Sequence, residues 1–252
     1  MKRILILLSF CLLGFQYQSQ RPVHIFMIGD STMANKKPET EPERGWGQLL
    51  QLFFTDRVKV SNHARNGKSS KSFIDEGLWQ AVLENLRPGD YVIIQFGHND
   101  QKPDSERHTD PYTTYKSNLE RFVNETREKG GFPVLCTSIV RRKFNDRGNL
   151  IDTHGAYPVV TRLVAREMGV PLIDLQLKTK NLVTDLGPAK SKVLYLYTDP
   201  GEYQNRVEGV KDDTHLCVEG AMVVARMATE GIKNLKLPVM EYLKESEHLI
   251  IE

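Results

Sequence analysis

Five short apolar runs, separated by stretches with helical periodicity, set the narrowest limits on how this chain can fold. The runs are His24-Ile25-Phe26-Met27-Ile28, Val58-Lys59-Val60, Tyr91 to Phe96, Pro133 to Ile139 and Pro171 to Asp174. Each is shorter than an ordinary helix and rich in β-branched or aromatic residues, so each reads as a buried strand. Between them, Trp46 to Phe54, Glu76 to Leu86, Tyr112 to Lys129 and Tyr157 to Met168 carry apolar residues three and four positions apart, and Gly89, Gly130 and Gly169 fall where helices stop. A closing helix is expected from Val218, on Ala221, Val224, Ala225, Met227 and Ala228. This alternation predicts an α/β chain with a parallel sheet covered on both faces and any ligand in the crevice at the strands' carboxyl ends. Residues Leu186 to Asp213 break the rhythm with Pro188, Pro200, Gly201 and Gly209, and read as a long loop. Its Tyr195, Tyr197 and Tyr203 suit either a substrate wall or lid, or a surface excursion packed by its own side chains.

Lys2 and Arg3 precede an apolar run from Ile4 to Phe15, after which the chain turns polar at Gln16 to Gln20. That order is the order of a secretory signal peptide, so residues 1–19 are expected to be a leader and residues 20–252 a single domain. The apolar run is short for a membrane span, and no stable membrane insertion is expected once it is removed. No Ala-x-Ala site follows, and Phe10 before Cys11 is a poor lipoprotein cleavage context, which leaves the cleavage point and a lipid anchor open. The expected location is periplasmic or extracellular. Without Lys2 and Arg3 the 34 basic residues become 32, against 32 acidic ones, a balance that disfavours nucleic acid as a partner. Cys11 falls in the leader; Cys136 and Cys217 are expected as two buried thiols, bridged only if the fold brings them together.

The first run stops abruptly at Gly29-Asp30-Ser31-Thr32, a turn that leaves one hydroxyl facing the crevice and makes Ser31 the candidate nucleophile. A nucleophilic serine needs a base, a group that orients the base, and donors for the oxyanion that forms. Asp212-Asp213-Thr214-His215 supplies the first two in the stretch before the last helix. His215 is the expected base and Asp212 its orienting carboxylate, while Asp213 is expected to point elsewhere or to cap the coming helix. The third strand ends in Gly97-His98-Asn99-Asp100, which puts the Asn99 amide at a strand's carboxyl end. After the second strand, Gly67 can bring a backbone N–H close to a reacting carbonyl. With the Ser31 amide, these give three candidate oxyanion donors.

On these residues the chain resembles the GDSL or SGNH hydrolases, whose four blocks centre on Ser, Gly, Asn and His in that order; Ser31, Gly67, Asn99 and His215 occupy those places. It looks most like the rhamnogalacturonan acetylesterase-like branch, through Gly29 to Ala34, Phe96 to Lys102, Asp213 to Leu216, Val140 to Phe144, Asp152 to Gly155 and Pro200 to Tyr203. The resemblance covers nearly the whole mature chain. It implies a flavodoxin-like three-layer α/β/α sandwich with a central five-stranded sheet, no metal and no other cofactor. It further implies a serine esterase that removes acetyl groups from pectic polysaccharide, so the expected partner is an acetylated polysaccharide or oligosaccharide. His98 stands where other superfamily members carry different residues, and is expected to stiffen the Asn99 loop, as Asp30 and Asp100 are expected to brace theirs. Lys68, His98, Lys102, Arg141 and Arg142 are the candidate substrate-binding residues, the four cations because they follow strands and a uronic-acid substrate presents carboxylates.

Two other functions fit parts of the pattern. Asp30, His98, Asn99, Asp100 and His215 could form the hard cluster of a metal-dependent phosphoesterase, although the chain has no early Asp-x-His. A non-catalytic exported glycan-binding protein could share the same fold. A phosphate-binding loop is excluded, because Gly67-Lys68-Ser69 has Asn62 where that motif requires a glycine.

Overall fold

The computed structural model describes residues 21–245, so the expected leader lies outside the described residues. All five expected strands are present: β1 (Val23–Gly29), β2 (Val58–Asn62), β3 (Tyr91–Gln95), β4 (Phe132–Cys136) and β5 (Leu172–Ile173). They form one sheet in the order β2-β1-β3-β4-β5 with every pair parallel. Side chains alternate across a strand, so a sheet with two cores needs apolar residues at consecutive positions. In β1, Ile25 and Met27 enter one core while Phe26 and Ile28 enter the other; in β3, Tyr91 and Ile93 oppose Val92 and Ile94 in the same way.

The helices are α1 (Trp46–Leu49), α2 (Ser70–Asp75), α3 (Leu78–Asn85), α4 (Lys116–Glu128), α5 (Tyr157–Glu167), α6 (Leu175–Lys190) and α7 (Val218–Asn234). Trp46, Leu175, Val183, Ala221, Val224 and Ala228 place α1, α6 and α7 over the first core. Phe73, Trp79, Val82, Phe122, Val160 and Val164 place α2 to α5 over the second. The result is a three-layer α/β/α fold. Its strand order reverses direction between β1 and β3, and ligands of such sheets sit at the carboxyl ends beside that reversal.

Residues 186–213 differ from the expected long loop. Helix α6 continues through a bend at Gly187 to Lys190, and a 3₁₀ turn (Ser191–Leu194) leads into β6 (Tyr195–Thr198). This strand pairs antiparallel with β7 (Val210–Leu216) in a separate two-stranded sheet. Tyr195 is buried and donates its hydroxyl to Val140 O at 2.7 Å, so it anchors the hairpin and is no lid. The charges of Lys211, Asp212 and Asp213 mask β7 in the sequence. The helix expected from Trp46 to Phe54 is divided at Leu50, where α1 passes into a 3₁₀ turn; the one expected from Glu76 starts after Gly77 as α3, and α2 before it is not among the expected helices. Cys136 and Cys217 are both buried free thiols, and Cys217 Sγ donates to Val193 O at 2.9 Å.

Candidate active site

The turn carrying Ser31 is built by its neighbours on either side. Gly29 ends β1 against β3, and a Cβ there would lie 2.7 Å from Gln95 O, so only glycine fits. Asp30 then ties the turn: its Oδ1 accepts from Thr32 N (2.9 Å) and Thr32 Oγ1 (2.8 Å), and its carbonyl accepts from Met33 N and Ala34 N. Gln95 donates to Thr32 Oγ1 at 2.8 Å and accepts from Trp46 Nε1 at 2.9 Å, which fixes the turn to the core beneath it. Ser31 is left with 9% of its surface accessible.

His215 reaches Ser31 from β7, 184 positions away. Its Nε2 lies 2.9 Å from Ser31 Oγ and its Nδ1 lies 2.7 Å from Asp212 Oδ2. With Nδ1–H donating to the carboxylate, Nε2 presents its lone pair to the serine hydroxyl. Asp212 is itself held, because its Oδ1 accepts from Thr214 N at 2.7 Å and His215 N at 3.0 Å. Burial would raise the Asp212 carboxyl, but the His215 hydrogen bond and charge and the two backbone donors hold it well below the usual carboxylate range. Asp213, the competing carboxylate, accepts from Arg142 and from Tyr197 OH at 2.5 Å each and does not cap α7, whose N-cap is Cys217.

Gly67 sits in a turn closed by Lys68 N–H donating to Arg65 O, at a φ of 75° that favours glycine. Asn99 donates one amide hydrogen to Lys68 O at 3.0 Å, joining the loops after β2 and β3 and leaving its second hydrogen for another acceptor. Asp100 accepts from Ser70 Oγ (2.5 Å), Ser70 N (3.0 Å), Thr109 Oγ1 (3.2 Å) and Gly97 N (3.0 Å), so it braces the loop as expected. Burial nonetheless pushes its carboxyl up to about 6.

His98, 2% exposed, lies beneath the site with Nδ1 3.3 Å from Asp30 Oδ2 and cannot bind substrate directly. Burial lowers its pKa despite the Asp30 charge, with Arg141 and His215 adding to the decrease. His154, from the Asp152 to Gly155 stretch, packs edge-on against it at 4.5 Å between ring centres; burial holds its pKa well below the usual value. Arg141 joins these loops by donating to His98 O at 3.1 Å and to Thr153 O at 3.4 Å.

The cations expected at the substrate are mostly engaged elsewhere. Arg142 is a correction: 7% exposed, it donates to Asp213, Tyr197 OH and Pro188 O and lies over the Tyr197 ring at 5.0 Å, clamping the β6–β7 hairpin. The Lys68 ammonium pairs with Glu76 at 2.6 Å in a partly exposed contact. Lys102 is exposed, its backbone N–H donating to Asn99 O. Of the five residues of the phosphoesterase cluster, Asp30 and His98 face each other while Asn99, Asp100 and His215 turn to Lys68 O, Ser70 and Asp212, and among the described residues no three His, Cys, Asp or Glu gather at metal-binding spacing.

A Ser–His–Asp relay at the carboxyl edge of such a sheet is the arrangement of an acyl hydrolase. The model of the GDSL-like lipase/acylhydrolase family matches residues 27–221. The chain belongs to that family. It is 43% identical over 228 residues to the rhamnogalacturonan acetylesterase RhgT of Bacillus subtilis, covering 90% of this chain and 97% of that one. It is 36% identical to a probable rhamnogalacturonan acetylesterase, YesY, of the same organism, over 86% and 96% of the two chains. Among solved structures, the YxiM protein of Bacillus subtilis superposes with a TM-score of 0.73 at 26% identity, over 86% of this chain and 58% of that one. A catalytic mutant of an acetylxylan esterase from Geobacillus stearothermophilus shares the fold at a TM-score of 0.62 and 21% identity, over 84% and 94%. Within this GDSL-like acylhydrolase, the Ser, Gly, Asn and His blocks all lie on loops or strands facing the same edge of the sheet.

Proposed function

We propose that this protein is a carbohydrate esterase that removes acetyl groups from rhamnogalacturonan-type pectic polysaccharide through an acetyl-serine intermediate. The observation that carries the reading is the continuous contact from Asp212 through His215 to Ser31 Oγ, at 2.7 and 2.9 Å. Ser31 Oγ attacks the acetyl carbonyl carbon while its proton passes to His215 Nε2, and the imidazolium that forms is held by Asp212. The oxyanion is received by the N–H groups of Ser31 and Gly67 and by the second amide hydrogen of Asn99. The tetrahedral intermediate collapses as His215 returns the proton to the sugar oxygen, leaving acetyl-Ser31. Water, deprotonated by His215, then attacks the same carbonyl; acetate leaves and Ser31 regains its proton.

The names borne by RhgT and YesY support the rhamnogalacturonan substrate class. No described helix is long and apolar enough to cross a membrane. The Lys2-Arg3 and Ile4–Phe15 order at the amino end supports export to the periplasm or the extracellular space, where a polymer substrate is met. The test is acetate release from a panel of acetylated polysaccharides by wild type and Ser31→Ala, with and without a chelator. Release from acetylated rhamnogalacturonan that disappears in Ser31→Ala and survives chelation is expected. Chelator-sensitive release, or binding to the polymer without release, would overturn the proposal in favour of a metal-dependent enzyme or a glycan-binding protein.

A further inference from the structure

Lys36 is the one buried lysine among the described residues, and the acyl-transfer steps make no use of it. Its side chain is 1% exposed, and the ammonium meets two acceptors, Asn66 Oδ1 at 2.7 Å and Glu43 Oε1 at 2.7 Å. A charge is retained in such surroundings only when its donors are satisfied, so this ammonium has a fixed place. Asn66 immediately precedes Gly67 in the turn closed between Arg65 and Lys68. Lys36 itself continues the segment that starts at Ser31, and its backbone N–H donates to Gln48 Oε1 at 2.9 Å.

Glu43 extends the contact to the other half of the site. Arg206, in the loop between β6 and β7, lies 3.6 Å from Glu43 and donates to Thr40 O, while Asn205 donates to Glu39 O (2.6 Å) and Glu41 O (2.9 Å). Arg44 N donates to Leu216 O, the residue after His215. The strap of residues 37–44 is therefore held by the hairpin that carries Asp212 and His215, and Lys36 joins that strap to the Gly67 turn.

We propose that Lys36 is a positioning residue: through Asn66 it sets the Gly67 N–H in register with Ser31 and His215. The inference rests on Gly67 being an oxyanion donor, as proposed above. A donor acts only if it lies at hydrogen-bond distance from the position the oxyanion will occupy, so a turn free to shift by a fraction of an ångström weakens transition-state binding more than substrate binding.

Asn66→Ala removes the held atom and leaves the Lys36–Glu43 pair intact, whereas Asn66→Asp keeps an oxygen facing the ammonium. On a small aryl acetate, whose only demand is acyl transfer, Asn66→Ala is expected to lower kcat about 10- to 100-fold with little change in KM, part of the 10²–10³ that one whole donor supplies. Asn66→Asp is expected to restore kcat to within threefold of wild type, a rough figure for a retained charge-assisted contact. The double variant Lys36→Met/Glu43→Gln removes both charges without leaving either alone, and is expected to match Asn66→Ala in kcat; circular dichroism and Tm check that it folds. An Asn66→Ala enzyme with wild-type kcat, or an Asn66→Asp enzyme as impaired as Asn66→Ala, overturns the inference. Those outcomes are distinct from failure of the esterase reading, in which the wild type itself would not turn over the ester or Ser31→Ala would remain active.

Discussion

Replacing Asp212 with Asn tests the relay at its least substitutable point, because the structure dictates how the new amide must sit. Asp212 Oδ1 accepts from two backbone N–H groups, those of Thr214 and His215. An asparagine must keep its oxygen there, since turning its NH₂ toward two donors leaves them unpaired at about 1–3 kcal/mol each, or roughly 2–6 kcal/mol together. The NH₂ then faces His215 Nδ1, which lies 2.7 Å from Oδ2 in the wild type. An N–H pointed at Nδ1 holds the ring proton on Nε2, so the imidazole offers Ser31 a donor where it needs an acceptor. The expected loss in kcat is about 10⁴, the effect of holding a catalytic histidine in the wrong tautomer. At 1.36 kcal/mol per decade this is about 5.4 kcal/mol of transition-state stabilisation. The assay is hydrolysis of a small aryl acetate, with Tm measured beside it to establish that the fold is intact. Asp212→Ala leaves the ring free to take either tautomer and should be at least as active as Asp212→Asn. An Asp212→Asn enzyme within tenfold of wild type, or one clearly more active than Asp212→Ala, would refute the reasoning.

Arg142→Met should destabilise the protein by about 1–3 kcal/mol, because the guanidinium's bonds to Asp213, Tyr197 OH and Pro188 O are lost while the half-exposed Asp213 carboxylate keeps its water, and calorimetry should show Tm falling by roughly 2–12 °C. Its activity on polymer and on aryl acetate should fall together; a loss confined to polymer would return Arg142 to substrate recognition. Gly29→Ala forces a Cβ to within 2.7 Å of Gln95 O, and is expected to cost about 1–3 kcal/mol and to lower kcat by shifting Ser31; unchanged melting and turnover would contradict the packing. The depressed Asp212 carboxyl also carries a pH signature. Its folded pKa lies below the unfolded value near 3.9, so its stabilisation is present above about pH 5 and is lost as pH falls through the acid range. Urea unfolding of wild type and Asp212→Ala should therefore differ most above pH 5, with the gap narrowing progressively as pH falls below about 4; a gap independent of pH counts against the assignment.

The parallel sheet was legible because both of its faces are buried, which turns β1, β3 and β4 into continuous apolar runs. Ser31, Gly67, Asn99 and His215 were legible for another reason: a strand that stops at a turn leaves its chemistry in an uninterrupted local motif. The hairpin was not legible. β7 carries Lys211, Asp212, Asp213 and His215, so no alternation of apolar residues marks it, and its partner β6 lies beyond the Gly187-Pro188 bend that breaks the pattern of α6. Arg142, expected at the substrate, and Lys36, without an expected role, hide their places in the fold for a single cause. A buried cation looks like a surface cation until its partners are known, and Asp213 lies 71 positions from Arg142 while Asn66 lies 30 from Lys36.

The claim on which the rest depends is that Ser31 becomes acetylated during turnover. Acid-quenching the enzyme as it hydrolyses an acetyl ester, then mapping its peptides by mass spectrometry, tests this directly. A single acetyl group on the Ser31 hydroxyl, accumulating under conditions that slow its hydrolysis and missing from Ser31→Ala, is the predicted result. Continued acetate release with Ser31 unmodified at every quench time, or with alanine in its place, would contradict the account.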